Sequence, residues 1–194
     1  YEPFRQTIRA MLRHARGLRI DHVMGLFRLF WIPPDGTARD GGYVRYHADE
    51  LLAVLAIESQ RAKAIIVGED LGTVEHGVRP RLRKCGILSY CLLWFENRPP
   101  KKYPPQALAA VTTHDLFTVA GLWSGKDFEA QQRIGLHPNA DGTKEIQRRL
   151  RRHAGLKMDA SAREAILGAH RLLDHTPCRL ITATLDDALA VEER

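Results

Sequence analysis

Three acidic residues of this 194-residue chain stand just beyond short apolar runs. Asp21 follows Leu18-Arg19-Ile20, Glu69 follows Ile65-Ile66-Val67-Gly68, and Asp115 follows Leu108-Ala109-Ala110-Val111 and the turn Thr112-Thr113-His114. Two carboxyl groups in distinct settings are what retaining glycoside chemistry requires: one attacks the anomeric carbon while the other protonates the departing oxygen. Arg19 precedes Asp21 by two, so on a strand both side chains face the same way. A guanidinium there favours the ionised form that a nucleophile needs. Glu69 lies between an apolar strand and a turn, where desolvation favours the protonated form of an acid. Asp115 suits the holding of sugar hydroxyls in a distorted ring, and His114 beside it offers a further hydrogen bond. A lone acidic residue after a strand is more often a helix cap or a surface group. Asp70 reads that way, as a residue that caps or hydrogen-bonds the turn beside Glu69. Pattern alone leaves both readings of the trio open.

The elements that must position these residues alternate between helix and strand, the signal for βα units around a parallel sheet. Helical spacing covers residues 4–16, 49–62, 74–84, 127–134, 143–153 and 161–173, the last opening on a capping box, Ser161-x-x-Glu164. Strands are expected at 18–21, 64–67, within 87–95, at 108–111 and at 178–184, with a long functional loop after Asp21 that runs to Gly41-Gly42. A (β/α)8 barrel needs eight strands and typically about 250 residues. An open doubly wound sheet accommodates five, but it gives no reason for acids at three strand ends, and no GxGxxG phosphate turn is present. The fold class read from this is α/β, a partial (β/α)8 TIM barrel holding roughly strands 4–8 with their helices, its first three strands absent. Residues 1–194 then form the C-terminal portion of a single catalytic barrel domain.

A hydrophobic content of 44% and a charged content of 27% are ordinary for a globular domain. No segment approaches the roughly 18–20 uninterrupted apolar residues of a membrane helix. Tyr1-Glu2-Pro3-Phe4 has no initiator Met and no signal pattern, so it reads as the interior of a longer chain. The formal charge of +6 invites a nucleic-acid reading. The arginines are nonetheless spaced to decorate helix surfaces, and the run Arg148-Arg149-Leu150-Arg151-Arg152 lacks interleaved aromatic stacking partners, so a solvated helix face is expected. Three cysteines, Cys85, Cys91 and Cys178, form no CxxC pair. They point to buried thiols in a reducing compartment rather than to a zinc site.

Several segments resemble the 4-α-glucanotransferase (amylomaltase, or disproportionating enzyme) family of the α-amylase clan. Leu18-Arg19-Ile20-Asp21-His22-x-x-Gly25 resembles its nucleophile segment, Gly68-Glu69-Asp70-Leu71-Gly72 its acid/base segment, and Thr112-Thr113-His114-Asp115-Leu116 the segment of its transition-state-stabilising Asp. Gly42-Tyr43-Val44-Arg45-Tyr46, residues 55–61 and Leu88-Ser89-Tyr90 are similar to it as well. The resemblance implies Asp21 as nucleophile, Glu69 as acid/base and Asp115 as stabiliser, with Arg19 and His114 binding substrate. It implies transfer of α-1,4-glucan segments to glucose or maltooligosaccharides, with no metal or organic cofactor; from the cysteines, the arginine spacing and the apolar runs, a cytoplasmic protein with no nucleic-acid or membrane partner is expected. An α-glucan hydrolase of the same clan is the nearest rival. The isolated chain, with its barrel incomplete, is expected to be poorly active. Trp31 is a candidate subsite wall, and His22 either contacts sugar or holds the turn. Phe117, His47 and Glu75 stand where the family pattern leads one to expect Pro. Burial is expected for Trp94, and core packing is as good a reading of Phe27 and Phe30 as a sugar contact.

Overall fold

A computed structural model describes residues 1–193. Pro3 near its start and a stripe of apolar residues make α1 (Glu2–Leu12), which buries Ile8 and Leu12. Gly17 opens β1 (Gly17–Ile20), and a 3-10 turn (Val23–Leu26) follows. Strands β2 (Arg28–Trp31) and β3 (Gly42–Arg45) come next, then α2 (Ala48–Ala62), whose Leu52 and Leu55 are buried. The β-branched run Ile65-Ile66-Val67 becomes β4 (Ile65–Gly68), and α3 (Val78–Lys84) precedes β5 (Ser89–Leu92). The chain continues through β6 (Ala107–Ala110), α4 (Val119–Ser124), α5 (Lys126–Arg133) and α6 (Ala140–Ala154). It closes with α7 (Ala162–Asp174), β7 (Leu180–Thr182) and α8 (Leu185–Ala188). The architecture is mixed α/β.

The chain forms two compact units, Tyr1–Tyr90 and the residues from Cys91 onward. In the first, β1 and β4 pair in parallel, Gly17 opposite Ile65 through to Ile20 opposite Gly68, and Val67 bridges to Leu88 in the same sense. Ile66 and Ile87 pack with α1, α2 and α3 in an apolar core that also takes in Val23 and Phe27. In the second, β6 pairs parallel with β7, and a core around Trp94, Ala109, Leu122 and Leu173 packs against α4, α6 and α7. Among the described residues no helix is long and apolar enough to cross a membrane.

The expected loop between Asp21 and Gly42 is instead largely a hairpin. β2 and β3 pair antiparallel, Arg28 opposite Arg45 and Trp31 opposite Gly42. Pro33-Pro34 and Gly36 occupy only its tip, while the arms carry the aromatic and β-branched residues that strands favour. The helix α4 was not expected either. Six residues give too little periodicity to read, though Thr118 caps it by accepting the Gly121 N–H. The capping box at Ser161 and Glu164 is formed as the spacing predicts. The arginine run is less solvated than expected. Arg149 donates to Asn97 Oδ1 at 2.9 Å and to the Trp94 carbonyl, and the Arg151 guanidinium lies 4.8 Å from the Trp123 ring centre.

Candidate active site

The register of β1 and β4 decides the neighbourhood of the first two acids. Ile20 lies opposite Gly68, so Asp21 and Glu69 leave adjacent parallel strands at matching positions. The ladder continues one step further, since the Glu69 N–H donates to the Ile20 carbonyl at 2.9 Å and the Val23 N–H donates to the Glu69 carbonyl at 2.9 Å. The turn after β1 therefore wraps the backbone of Glu69.

That turn depends on two backbone features. His22 adopts a left-handed conformation, φ 43° and ψ 60°, uncommon for a residue with a side chain. From there its N–H donates to Glu69 Oε2 at 2.8 Å. The second feature is close approach at Gly68, where a Cβ would meet both Cγ atoms of Val23 at 3.1 Å. The absent side chain lets the turn seat against β4. Leu71 completes the cradle by donating its N–H to Glu69 Oε1 at 2.7 Å. Each oxygen of a carboxyl group that is only 9% exposed as a residue thus has one backbone donor.

Asp21 is in a contrasting position, with its side chain 70% exposed and Oδ1 held by Arg19 Nη2 at 2.6 Å. The Arg19 guanidinium lies 5.4 Å from the centre of the Tyr90 ring, which supports it from below as a cation–π contact. Asp70 is not the turn cap or surface group expected of it: it is fully buried and binds the Tyr90 N–H at 2.8 Å, on a strand 20 residues on. It also accepts from Arg79 Nε at 2.8 Å, a pairing that nothing in the local pattern announced.

The hairpin carries Trp31, which is exposed and donates Nε1–H to the Tyr46 hydroxyl at 2.8 Å. Phe30 is exposed against Tyr43, with ring centres 5.3 Å apart, whereas Phe27 is buried in the core. Glu75, one of the three departures, pairs with Arg45 at 2.8 Å and with Arg28 at 3.4 Å, tying both hairpin arms to the segment after β4. An acid standing where a proline is expected was the available signal for it.

In the second unit, the segment beyond β6 is pinned from below and open above. Thr112 and Thr113 are buried, Thr112 Oγ1 donates to the Phe117 carbonyl at 2.9 Å, and the Asp115 N–H donates to Thr113 Oγ1 at 3.3 Å. His114 and Asp115 emerge into solvent with Nε2 and Oδ2 3.3 Å apart. Trp94 is buried as expected, and Trp123 is half-buried and donates to the Ala160 carbonyl at 2.7 Å. Among the described residues no group of three or more His, Cys, Asp or Glu is arranged to hold a metal ion.

The family described as 4-alpha-glucanotransferase matches residues 1–194. A 4-alpha-glucanotransferase of Mycobacterium bovis is 40% identical over 210 residues, spanning 97% of this chain and 29% of the relative. One from Haemophilus influenzae is 45% identical over 141 residues, spanning 70% of this chain and 20% of the relative. Among solved structures, amylomaltase from Corynebacterium glutamicum superposes with a TM-score of 0.84 at 34% identity, covering 95% of this chain and 30% of that one. The chain thus spans under a third of the length of these proteins.

Proposed function

We propose a glucan-transfer reaction for this chain, which belongs to the 4-alpha-glucanotransferase family. In that reaction Asp21 attacks the anomeric carbon of an α-1,4-glucan donor. Glu69 gives its proton to the departing glycosidic oxygen, and a glycosyl ester forms on Asp21. Glu69 then takes a proton from the 4-hydroxyl of a glucose or maltooligosaccharide acceptor, which displaces Asp21 and restores the α configuration. Acid, base and nucleophile all come from side chains, so no step calls for a metal or an organic cofactor.

The observation that carries this reading is the matching exit of Asp21 and Glu69 from adjacent parallel strands. Matching positions on neighbouring strands, whose backbones lie about 4.8 Å apart, bring the two acids to one strand end, as two-carboxyl glycoside chemistry requires. The two settings also divide the labour. Asp21, exposed and held by Arg19, suits the nucleophile. Glu69, enclosed with one N–H on each oxygen, keeps a second lone pair on each for the proton in transit. The role of Asp115 as stabiliser and that of His114 in binding sugar rest on the family motifs, and those of His22 and Trp31 on the exposure of these residues.

Both units are read as parts of one catalytic barrel domain, contributing about strands 4–8 of a (β/α)8 TIM barrel. The parallel pairings of β1 with β4 and of β6 with β7 support this. Three free thiols fit a cytoplasmic setting. Arg149 and Arg151 are engaged with their own chain, which argues against a nucleic-acid partner. The test is product analysis after incubation of the protein, at its full natural length, with maltotriose. Transfer yields a ladder longer than the trisaccharide, lost in Asp21→Asn. A product set confined to glucose and maltose would assign hydrolysis instead.

A further inference from the structure

Asp70 is fully buried, yet its carboxylate faces no reacting group directly. One oxygen accepts the Tyr90 N–H at 2.8 Å and the other accepts Arg79 Nε at 2.8 Å, while Arg79 Nη2 donates to the Asp70 carbonyl at 3.0 Å. Arg79 therefore clasps both the side chain and the backbone of Asp70. The residue so held is covalently next to Glu69, whose carboxyl is cradled by the N–H of Leu71 on the far side. Through Tyr90 the same carboxylate reaches the other acid, because the Tyr90 ring supports the Arg19 guanidinium that grips Asp21.

We propose that Asp70, clasped by Arg79, is a positioning residue that sets the aim of Glu69. The inference rests on the acid/base reading of Glu69 and extends it to two residues that touch no substrate. A carboxylate with no access to solvent holds these segments more firmly than a cap on a mobile turn. Its charge is needed for Arg79, whereas the Tyr90 N–H needs only an acceptor. Asp70→Asn keeps the acceptor for Tyr90 and gives up the side-chain half of the clasp.

The test uses two donors on the protein at its full natural length. With maltotriose, the departing sugar oxygen needs a proton from Glu69. With α-maltosyl fluoride, Asp21 displaces fluoride, the C–F bond breaks, and fluoride leaves as an anion without that proton. A misaimed acid costs about 10- to 100-fold with maltotriose and leaves the single-turnover burst of fluoride within about threefold of the parent. Asp70→Asn is expected to show this split, with KM for maltotriose little changed. Arg79→Gln, at a half-exposed position that tolerates change, is expected to show it more weakly and serves if Asp70→Asn does not fold. A parallel loss with both donors, or no loss with either, overturns the proposal. Glu69→Gln separates the two readings. If it lacks the split, the acid/base assignment itself fails. If it shows the split and neither Asp70→Asn nor Arg79→Gln does, the positioning role alone falls.

Discussion

Gly68→Ala isolates how the segment around Glu69 is built. The new methyl meets the Cγ1 and Cγ2 atoms of Val23 at 3.1 Å and its Cβ at 3.2 Å. Val23 has no exposure through which to turn aside, so the turn after β1 must move, taking His22 and its hydrogen bond to Glu69 with it. Overpacking of this kind costs about 1–3 kcal/mol. At 2–4 °C per kcal/mol for a chain of this size, about 2 kcal/mol lowers the melting temperature by roughly 4–8 °C. Transfer activity should fall as well, because the displaced turn carries the donor to Glu69. The decisive assay is a double-mutant cycle read by thermal unfolding. Val23→Ala alone opens a small void and destabilises, but in Gly68→Ala/Val23→Ala the added methyl occupies that space. The double variant should be more stable than the sum of the single effects, by about 0.5–3 kcal/mol. Additivity to within about 0.5 kcal/mol would refute the contact as the cause.

Three further outcomes follow from the same structure. Asp187 is buried where it accepts the Val119 N–H at 3.0 Å and meets His170 Nε2 at 3.1 Å. Burial pushes its carboxyl up, but the His170 and Val119 hydrogen bonds outweigh this and hold it below the ordinary value. A depressed carboxyl stabilises above the unfolded pKa of about 3.9 and loses that contribution as pH falls through the folded value. Asp187→Asn should therefore cost about 1–3 kcal/mol at pH 7 in thermal or urea unfolding, and the gap from the parent should close below roughly pH 4. Cys178 is brought down to about 7, chiefly by the Cys91 thiol hydrogen bond. Iodoacetamide should label Cys178 before Cys91, with a rate that rises through neutral pH and slows in Cys91→Ala, as followed by peptide mass spectrometry. Trp31→Ala should raise KM for maltooligosaccharides by about 5- to 10-fold, the worth of roughly 1 kcal/mol of ring stacking. Its exposed indole buries little, so the melting temperature should stay within about 2 °C. An unchanged KM would remove Trp31 from the sugar path.

Much of the framework was legible because it is local. Ile65-Ile66-Val67 ending at Gly68 reads as a strand that stops, and it does. Leu52 and Leu55 have helical spacing and are buried on α2. Ser161 and Glu164 carry their capping box in the spacing alone. The hairpin of β2 and β3 was obscured by the prolines and glycines at its tip, although its arms had strand composition. Glu75 signalled itself only as a departure from pattern, with no hint that Arg28 and Arg45 were its partners.

Asp21, Glu69 and Asp115 can be read as strand-end acids from the chain alone, since apolar runs, turn residues and helix caps act over a few positions. What surrounds them depends on packing between segments far apart in the chain. The parallel register that sets Asp21 beside Glu69 joins residues 48 positions apart. The buried Asp70 finds the Tyr90 N–H 20 residues on, and His22 turns its own N–H back to a carboxylate 47 residues away. Such partners are chosen by packing, because a buried carboxylate or N–H must be satisfied by whatever the fold brings within reach. No spacing along the chain records that choice.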